Sequence, residues 1–293
     1  KGVTWAKFFP RYGHLVLSAS FDATLKLWST ENKKQLVQTY KGHTESVKDA
    51  DWSFDGKTFL SAGFDSRVQF WDTERGQTIV SLPVQKLPYC VRFNPDPDRQ
   101  NLILVASMTG RIHQYDLRTG EIAVTYLEHM DAVNSLLFVD DNKKFVSCGD
   151  DKKIILWEFG VPVVIRSINE PEVQSITSTT IHPGHEFFAA QTTDNKIQIF
   201  DIKAGSLRYT RGKRFMEHMS SGYTITPLFT PDGRFLLTGD NNGRVYSWDW
   251  SSAKPILNFQ AHSKVTIGLD WHPNDPKCLM TCSWDGTVKI WSK

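Results

Sequence analysis

The stretch Ser147–Trp157, "SCGDDKKIILW", indicates the fold because its pattern recurs along the chain. In this stretch, a tryptophan follows Asp151 by six residues, after a short apolar run. The same pattern appears in "SASFDATLKLW", which ends at Trp28, in "SAGFDSRVQFW", which ends at Trp71, and in "TCSWDGTVKIW", which ends at Trp291. A pattern that returns at a regular interval indicates a repeat architecture.

Alignment on the closing aromatic residue identifies seven copies, spaced by 42 to 48 residues. The closing residues are Trp28, Trp71, Tyr115, Trp157, Phe200, Trp248 and Trp291. Between them, segments that alternate with period two are separated by turn signals such as "FDGK" and "TPDGR", so each copy predicts about four short antiparallel strands. One such sheet cannot bury both of its faces alone, whereas seven sheets arranged radially close on themselves and leave no long exposed edge.

The landmarks, together with a histidine upstream in most copies, resemble the WD-repeat family over the whole chain. The resemblance implies an all-β fold, a seven-bladed WD-repeat β-propeller that forms a single domain over residues 1–293. It also implies that a histidine, a serine or threonine, an aspartate and a tryptophan form one hydrogen-bonded set inside a blade. The full sets would be His43, Ser61, Asp65 and Trp71; His129, Ser147, Asp151 and Trp157; and His262, Thr281, Asp285 and Trp291, with a softened set of His218, Thr238, Asn242 and Trp248.

Two features at the ends of the chain depart from the family pattern. Val3 in "KGVTW" matches Val47 in "GHTESV", which would place the histidine of the first copy upstream of Lys1. The sequence also stops two residues after Trp291, before an outer strand for the last copy. We therefore expect the chain to be a fragment, with an N-terminal extension upstream of residue 1 that supplies this strand.

Recurring serine, histidine and aspartate also suggest a catalytic triad, but a triad needs one unique, exposed nucleophile. The sequence has neither a G-x-x-x-x-G-K-[ST] loop nor an H-E-x-x-H motif. His182 and His185 are close together only at a predicted turn. The cysteines lie in apolar runs without the usual zinc-ligand spacing, at Cys90, Cys148, Cys278 and Cys282. We expect no catalytic residue, no cofactor, no metal site and no small-molecule substrate.

The net charge and the hydropathy of the chain limit the kinds of partner that we expect. Lys and Arg number 34 and Asp and Glu 32, a net charge of +2, which argues against a protein that coats nucleic acid through bulk charge. No apolar run reaches the roughly 18 residues of a membrane span, so we expect no membrane partner. These features are typical of a nuclear or cytoplasmic protein.

Three longer stretches are similar to the pre-mRNA-processing factor 17 family of WD-repeat splicing proteins. They are "KLPYCVRFNPDPDRQNLILVA" (86–106), "DAVNSLLFVDDNKKFVSCGDDKKIILWEFGVPV" (131–163) and "AHSKVTIGLDWHPNDPKCLMTCSWDGTVKIW" (261–291). "QKLPYC" in place of "GH" in the third copy, and "FGVPV" after Trp157, do not follow from the generic repeat. The resemblance implies a nuclear, non-enzymatic scaffold of the spliceosome, acting in the second catalytic step, exon ligation. Its partners would be spliceosomal proteins, with RNA nearby and direct RNA contact left open.

Two alternatives stay open at this point. The chain is a WD-repeat adaptor of another pathway, such as a ubiquitin-ligase substrate receptor, or, more remotely, a propeller enzyme with an active site in its central channel. Such an enzyme needs acids or metal ligands on the innermost strands, and these strands offer only Asp49, Asp51 and Asp270.

The residue before each turn aspartate should lie on the rim of the propeller near the channel. In copies seven, one, two and three, which ring closure makes contiguous, this residue is large and apolar: Trp284, Phe21, Phe64 and Met108. Clustered apolar side chains facing water are typical of interface cores. We predict a protein-binding arc, flanked by Tyr89 and Lys48 at the starts of inner strands. The alternative interpretation is that each of these side chains simply lies over the turn of its own blade.

The densest basic cluster is "RYTRGKRF" (Arg208–Phe215), with Arg208, Arg211, Lys213 and Arg214. It falls in the copy lengthened to 48 residues, so a loop or a long outer strand is expected. The cluster contacts RNA phosphates or an acidic partner, or it is a solvated strand edge that discourages pairing with another chain. Both interpretations remain open.

Overall fold

The computed structural model describes residues 1–31 and 35–292, with only the backbone at residue 204. Seven antiparallel sheets form the blades of an all-β propeller, which confirms the predicted fold. Consecutive strands pair within each sheet, so every blade is an up-and-down meander. Six blades have four strands, and the seventh has three in the described part of the chain.

The strands, numbered in chain order, have the following bounds. Blades one and two contain β1 (Val3–Phe8), β2 (Leu15–Ser20), β3 (Thr24–Ser29), β4 (Leu36–Lys41), β5 (Val47–Trp52), β6 (Thr58–Gly63), β7 (Arg67–Asp72) and β8 (Thr78–Pro83). Blades three and four contain β9 (Pro88–Phe93), β10 (Leu102–Ser107), β11 (Ile112–Asp116), β12 (Glu121–Tyr126), β13 (Val133–Val139), β14 (Lys144–Gly149), β15 (Ile154–Glu158) and β16 (Val164–Ile168).

The remaining three blades follow the same order with one irregularity. They contain β17 (Ile176–Ile181), β18 (Phe187–Thr192), β19 (Ile197–Asp201), β20 (Arg208–Phe215), β21 (Leu228–Phe229), β22 (Phe235–Gly239), β23 (Arg244–Asp249), β24 (Pro255–Gln260), β25 (Thr266–His272), β26 (Asp275–Ser283) and β27 (Val288–Trp291). Two short 3-10 helices span Pro97–Arg99 and Lys203–Gly205. The first strand of blade six, β21, has only two residues, so the chain before it lies outside the regular sheet.

Among the described residues, the hydrophobic core is divided into seven clusters, and each lies between two adjoining blades. Leu17 and Leu25 of blade one, for example, pack with Val47 and Phe59 of blade two. A blade therefore buries both faces, which explains why second strands such as β2 are almost wholly buried. The backbone hydrogen bonds of each blade are made between its own strands, whereas its apolar side chains are buried by contact with the neighbouring blades.

Ring closure joins blade seven to blade one in the same way. Val3 and Phe8 pack with Val265 and Met280, which lie at the other end of the sequence. The backbone N–H of Phe8 in blade one also donates to Asp270 Oδ2 of blade seven at 2.8 Å. Closure brings residues that are distant in sequence to one rim of the channel.

The turns between second and third strands mark one face of the propeller, which we call the upper face. At Gly63, the last residue of β6, an added Cβ would collide with the ring of His43 and the carboxylate of Asp65. A glycine is needed there because the histidine and aspartate pack directly against the backbone.

Candidate protein-binding site at the channel mouth

Hydrogen-bonded sets of the expected kind lie inside blades two, four and seven. In blade four, the Nδ1 of His129 lies 2.9 Å from Asp151 Oδ2, and its Nε2 lies 2.7 Å from Ser147 Oγ. The indole Nε1 of Trp157 donates to the same Ser147 Oγ at 2.7 Å. Each polar atom of the histidine, the serine and the indole thus has a partner, which is what burial requires.

Blades two and seven repeat this arrangement. The contacts are His43 Nδ1 to Asp65 Oδ2 at 2.9 Å, His43 Nε2 to Ser61 Oγ at 2.7 Å and Trp71 Nε1 to Ser61 Oγ at 2.8 Å. In blade seven they are His262 Nδ1 to Asp285 Oδ2 at 3.1 Å, His262 Nε2 to Thr281 Oγ1 at 2.7 Å and Trp291 Nε1 to Thr281 Oγ1 at 3.0 Å. The hydroxyls are buried, at 0% exposure for Ser61, Ser147 and Thr281, so these groups lie inside the scaffold.

The softened set predicted for blade six does not form, and that prediction is wrong. His218 Nε2 lies 2.8 Å from Gln191 Oε1 of blade five, while Thr238 Oγ1 and His218 Nδ1 have no hydrogen-bond partner in the described ranges. Asn242 offers no carboxylate to hold Nδ1–H, and the turn is capped instead by Asp240, which accepts from the N–H of Asn242 at 2.9 Å. The histidine therefore pairs with a neighbouring blade.

Acid is expected to destabilise the propeller through His218, because burial lowers the pKa of this histidine from 6.5 to about 4. As the pH falls through this window, the unfolded chain binds a proton that the folded chain does not, so the free energy of unfolding falls. We expect His218→Asn to lose less stability than the native chain between about pH 7 and pH 4.5, by about 2–3 kcal/mol. Urea denaturation across this range measures the difference. The same pH dependence in both proteins would contradict the assignment.

The carboxylates of the innermost strands link neighbouring blades. Asp49, Asp51 and Asp270 each accept from a backbone N–H on the innermost strand of the next blade, and Asp49 also binds an arginine. The donors are Val91 N at 3.0 Å and Arg92 Nη1 at 2.6 Å for Asp49, Phe93 N at 3.0 Å for Asp51, and Phe8 N at 2.8 Å for Asp270. Burial raises the pKa of Asp51, and it raises the pKa of Asp270 to about 6. These aspartates therefore have a structural role, because they hold neighbouring blades of the propeller together.

Five of the six residues predicted for the protein-binding arc line one cavity of about 530 Å³, which runs into the channel from the upper face. They are Phe21, Lys48, Phe64, Tyr89 and Trp284. We call this end of the channel the channel mouth. Met108 does not line the cavity, although its side chain is 48% exposed on the same face.

Phe21 and Trp284 do more than face water, because they also pack against each other. Both are half-buried, and their ring centroids lie 5.2 Å apart in an edge-to-face contact. Trp284 also packs against the core between blades seven and one. Ring closure brings the two side chains together, so each has a folding reason to be aromatic as well as a place at the channel mouth.

The sequence prediction did not include Tyr223 and Thr224, which also lie at the channel mouth. They come from the irregular chain before β21, and the Tyr223 ring lies 4.8 Å from that of Trp284. Lys48 Nζ donates to Thr224 Oγ1 at 3.0 Å, across the channel from blade two to blade six. The Gly- and Ser-containing "SSGYTITP" in the lengthened copy was the available sequence signal, since it interrupts the strand pattern.

The sequence prediction also did not include two exposed methionines of the upper face. Met130 is 85% exposed and Met219 is 50% exposed, and each directly follows the histidine of an "EHM" sequence. Methionine adapts its shape to a partner surface at low cost. The repeated tripeptide was the sequence signal for them.

The basic cluster lies on β20, the outer strand of blade five, where four residues bulge from the ladder between Tyr209 and Arg214. Arg211 Nη2 pairs with Glu170 at 2.9 Å, and Arg214 Nη2 lies 3.6 Å from Glu172. Lys213 Nζ lies 3.5 Å from the centroid of the Trp250 ring. Arg208 is exposed at the start of the strand. Three of the four cations thus have partners inside the molecule, which favours the solvated strand edge.

Within the described part of the chain, no group of three or more histidine, cysteine, aspartate or glutamate residues could hold a metal ion. His182 Nε2 instead lies 3.1 Å from the carbonyl of Gly233. The four cysteines are buried, and burial raises the pKa of Cys148, Cys282 and Cys90. In the described ranges, no helix has the length and apolar character needed to cross a membrane.

Comparison with known proteins identifies the repeats. The family profile described as "WD domain, G-beta repeat" (WD40) matches residues 1–29, 34–72, 120–158, 212–249 and 253–292. The unmatched intervals contain the first three strands of blades three and five, in which most of the histidine, serine and aspartate set is absent from the sequence.

Three curated relatives match almost the whole chain. "Pre-mRNA-processing factor 17" of Homo sapiens is 41% identical over 99% of this chain and 50% of the relative. The protein of that name in Saccharomyces cerevisiae is 32% identical over 99% of this chain and 64% of the relative. "WD repeat-containing protein 25" of Mus musculus is 31% identical over 99% of this chain and 55% of the relative. The chain spans about half the length of the human relative.

Proposed function

The chain belongs to the WD40-repeat family, and from this premise we propose that it is the propeller of a nuclear, non-catalytic scaffold of the spliceosome. It acts in the second catalytic step, exon ligation, and its partners are other spliceosomal proteins. The observation that carries the proposal is the similarity to "Pre-mRNA-processing factor 17" along 99% of the chain. The blades provide a rigid frame, and the channel mouth presents apolar side chains to a partner.

The structure supports a scaffold because its polar groups with catalytic potential already have structural partners. The histidine and serine pairs are buried inside blades, as in His129 and Ser147. The inner-strand carboxylates bind neighbouring blades, as Asp49 does through Val91. Accessible apolar groups are instead found at the upper face, where Met130 is exposed and Phe64 lines the channel mouth.

Copurification tests this proposal against the other pathways. The intact protein that contains this propeller, tagged and isolated from nuclear extract, should carry spliceosomal small nuclear RNAs. Depletion of the protein should leave the first splicing step intact, so that lariat intermediate and free upstream exon accumulate while spliced product is lost. Recovery of ubiquitin-ligase subunits without small nuclear RNAs would overturn the proposal, and a block before the first step would remove the exon-ligation role.

Phe64→Ala is expected to weaken binding of a partner at the channel mouth by about 1–4 kcal/mol, because a half-buried ring that lines the cavity is typical of an interface anchor. The loss of stability should be small. Phe54→Ala is the matched control, since Phe54 is 43% exposed at the opposite end of the same blade. Titration of isolated spliceosomal particles with both variants measures the difference, and equal binding by the two would contradict it.

A further inference from the structure

Lys48 is held at the channel mouth without a neutralising partner. Its Nζ donates to the neutral hydroxyl of Thr224 at 3.0 Å and lies 5.8 Å from the centroid of the Tyr89 ring. In residues 1–31 and 35–292, no carboxylate lies within ion-pair distance of this ammonium group. An ammonium has three donors, so the side chain keeps donors free for a group that enters the cavity.

Two carboxylates that line the same cavity are already bound. Asp49, the residue after Lys48, accepts from Arg92 Nη1 at 2.6 Å and from Val91 N at 3.0 Å. Asp270, deeper in the cavity, accepts from Phe8 N at 2.8 Å. Burial lowers the pKa of Lys48, against the attraction of Asp49 and Asp150. A carboxylate that enters the cavity and pairs with Lys48 would offset this cost of burial.

Beside Lys48, an apolar wall lines the same cavity. Phe21 and Tyr223 contact the ring of Trp284 edge-on, with centroids at 5.2 Å and 4.8 Å, and Phe64 adds another ring to the lining. A fixed wall of aromatic rings next to a cation fits a ligand that carries a negative group and a large apolar group close together.

We propose that the channel mouth binds an acidic peptide segment of a protein partner, in which an Asp or Glu side chain pairs with Lys48 and a neighbouring aromatic or aliphatic side chain packs on Phe21, Phe64 and Trp284. The proposal rests on the scaffold function above and specifies the chemistry of the partner. The peptide carboxylate takes the place of the Thr224 hydroxyl as the acceptor for Lys48.

The chain around Thr224 suits such an exchange. It lies between β20 and the two-residue strand β21, outside the regular ladder of blade six. Ser221 and Gly222 adopt positive φ angles of 50° and 76°, so the chain turns sharply just before Tyr223. A segment without a full ladder adjusts more easily than a strand inside a sheet.

A peptide is a better fit than RNA for two reasons. Single-stranded RNA is held by several cations that follow its backbone and by open aromatic faces on which bases stack. At the channel mouth, Arg92 is paired with Asp49. The ring of Trp284 already makes edge-to-face contacts with Phe21 and Tyr223.

Selection from a random peptide library on the intact protein that contains this chain tests the proposal. We expect enrichment of peptides with Asp or Glu next to Phe, Tyr, Leu or Ile. A selected peptide, labelled for fluorescence polarisation, should bind about 10- to 100-fold more weakly to Lys48→Met, and a Gln version of the peptide should lose a similar factor on the native protein. Lys144→Met is the matched control, because Lys144 pairs with Asp140 at the opposite end of blade four. It should bind the peptide as the native protein does.

Each other outcome counts against the proposal. Selection without acidic enrichment, or equal binding to the native protein and Lys48→Met, overturns it. If Lys48→Met fails to fold, two other measurements test the proposal. The Gln version of the peptide should bind the native protein more weakly, and the charge-conserving variant Lys48→Arg should still bind the acidic peptide. Lys48-dependent binding of a labelled oligouridylate in place of the peptide assigns the mouth to RNA and also overturns it. Copurified small nuclear RNAs without acidic enrichment would leave the proposed function intact and remove only the peptide site.

Discussion

Asp49→Ala should lower the free energy of unfolding by about 2–4 kcal/mol, because it leaves the guanidinium of Arg92 without its partner. Asp49 Oδ2 accepts from Arg92 Nη1 at 2.6 Å and from the N–H of Val91 at 3.0 Å, so one carboxylate binds two donors of the next blade. The Arg92 side chain is 26% exposed, which lets water offset part of the loss and sets the effect below that of a fully buried pair.

A double-mutant cycle isolates this interaction. Asp49→Ala combined with Arg92→Ala should be less destabilising than the sum of the two single changes, since removal of both partners leaves no unpaired charge. Denaturant unfolding of the four proteins measures the coupling. Additive effects, or a loss below about 1 kcal/mol for Asp49→Ala, would show that the carboxylate does not hold blades two and three together.

Ser147→Ala should also cost about 2–4 kcal/mol, because one hydroxyl serves two buried partners. His129 Nδ1–H donates to Asp151, so its Nε2 is the acceptor for the Ser147 hydroxyl. The same Oγ accepts from the indole N–H of Trp157. Alanine leaves an acceptor and a donor without partners in a site with no exposure.

Blade one provides the matched comparison for this prediction. Ser18 Oγ accepts from Trp28 Nε1 at 2.9 Å, but no histidine is bound to it in the described ranges. Ser18→Ala should therefore cost about half as much, roughly 1–2 kcal/mol. Unfolding midpoints of the two variants in urea give the comparison. Equal losses would mean that the histidine bond of blade four contributes nothing.

The fold could be predicted because the residues that specify each blade are close together in the sequence and recur along the chain. The interval between closing aromatics defines the seven sheets even in blades three and five, where Tyr115 and Phe200 still close the pattern. Buried polar sets could be assigned where all members are present, as with His43 and Ser61. In blade six, the change to Asn242 removes the anion that holds the histidine, and a local pattern does not reveal the partner in another blade.

The channel mouth could be predicted only in part, because its geometry depends on closure. The position before the turn aspartate predicts Phe64 near the channel, and Phe64 lines the cavity there. The contact of Phe21 with Trp284 depends on blades seven and one meeting, which joins residues far apart in sequence. Tyr223 and Thr224 reach the mouth because β21 is short, and that shortening has no counterpart in the repeat pattern.

Splicing in extract depleted of the endogenous protein and supplemented with purified intact protein is the decisive experiment, because it tests the scaffold function and the channel mouth together. The native protein and Phe54→Ala should restore spliced product. Phe64→Ala combined with Lys48→Met should unfold at nearly the same denaturant concentration as the native protein, yet leave lariat intermediate and free upstream exon unligated. Full recovery of spliced product by this stable double variant would contradict the account.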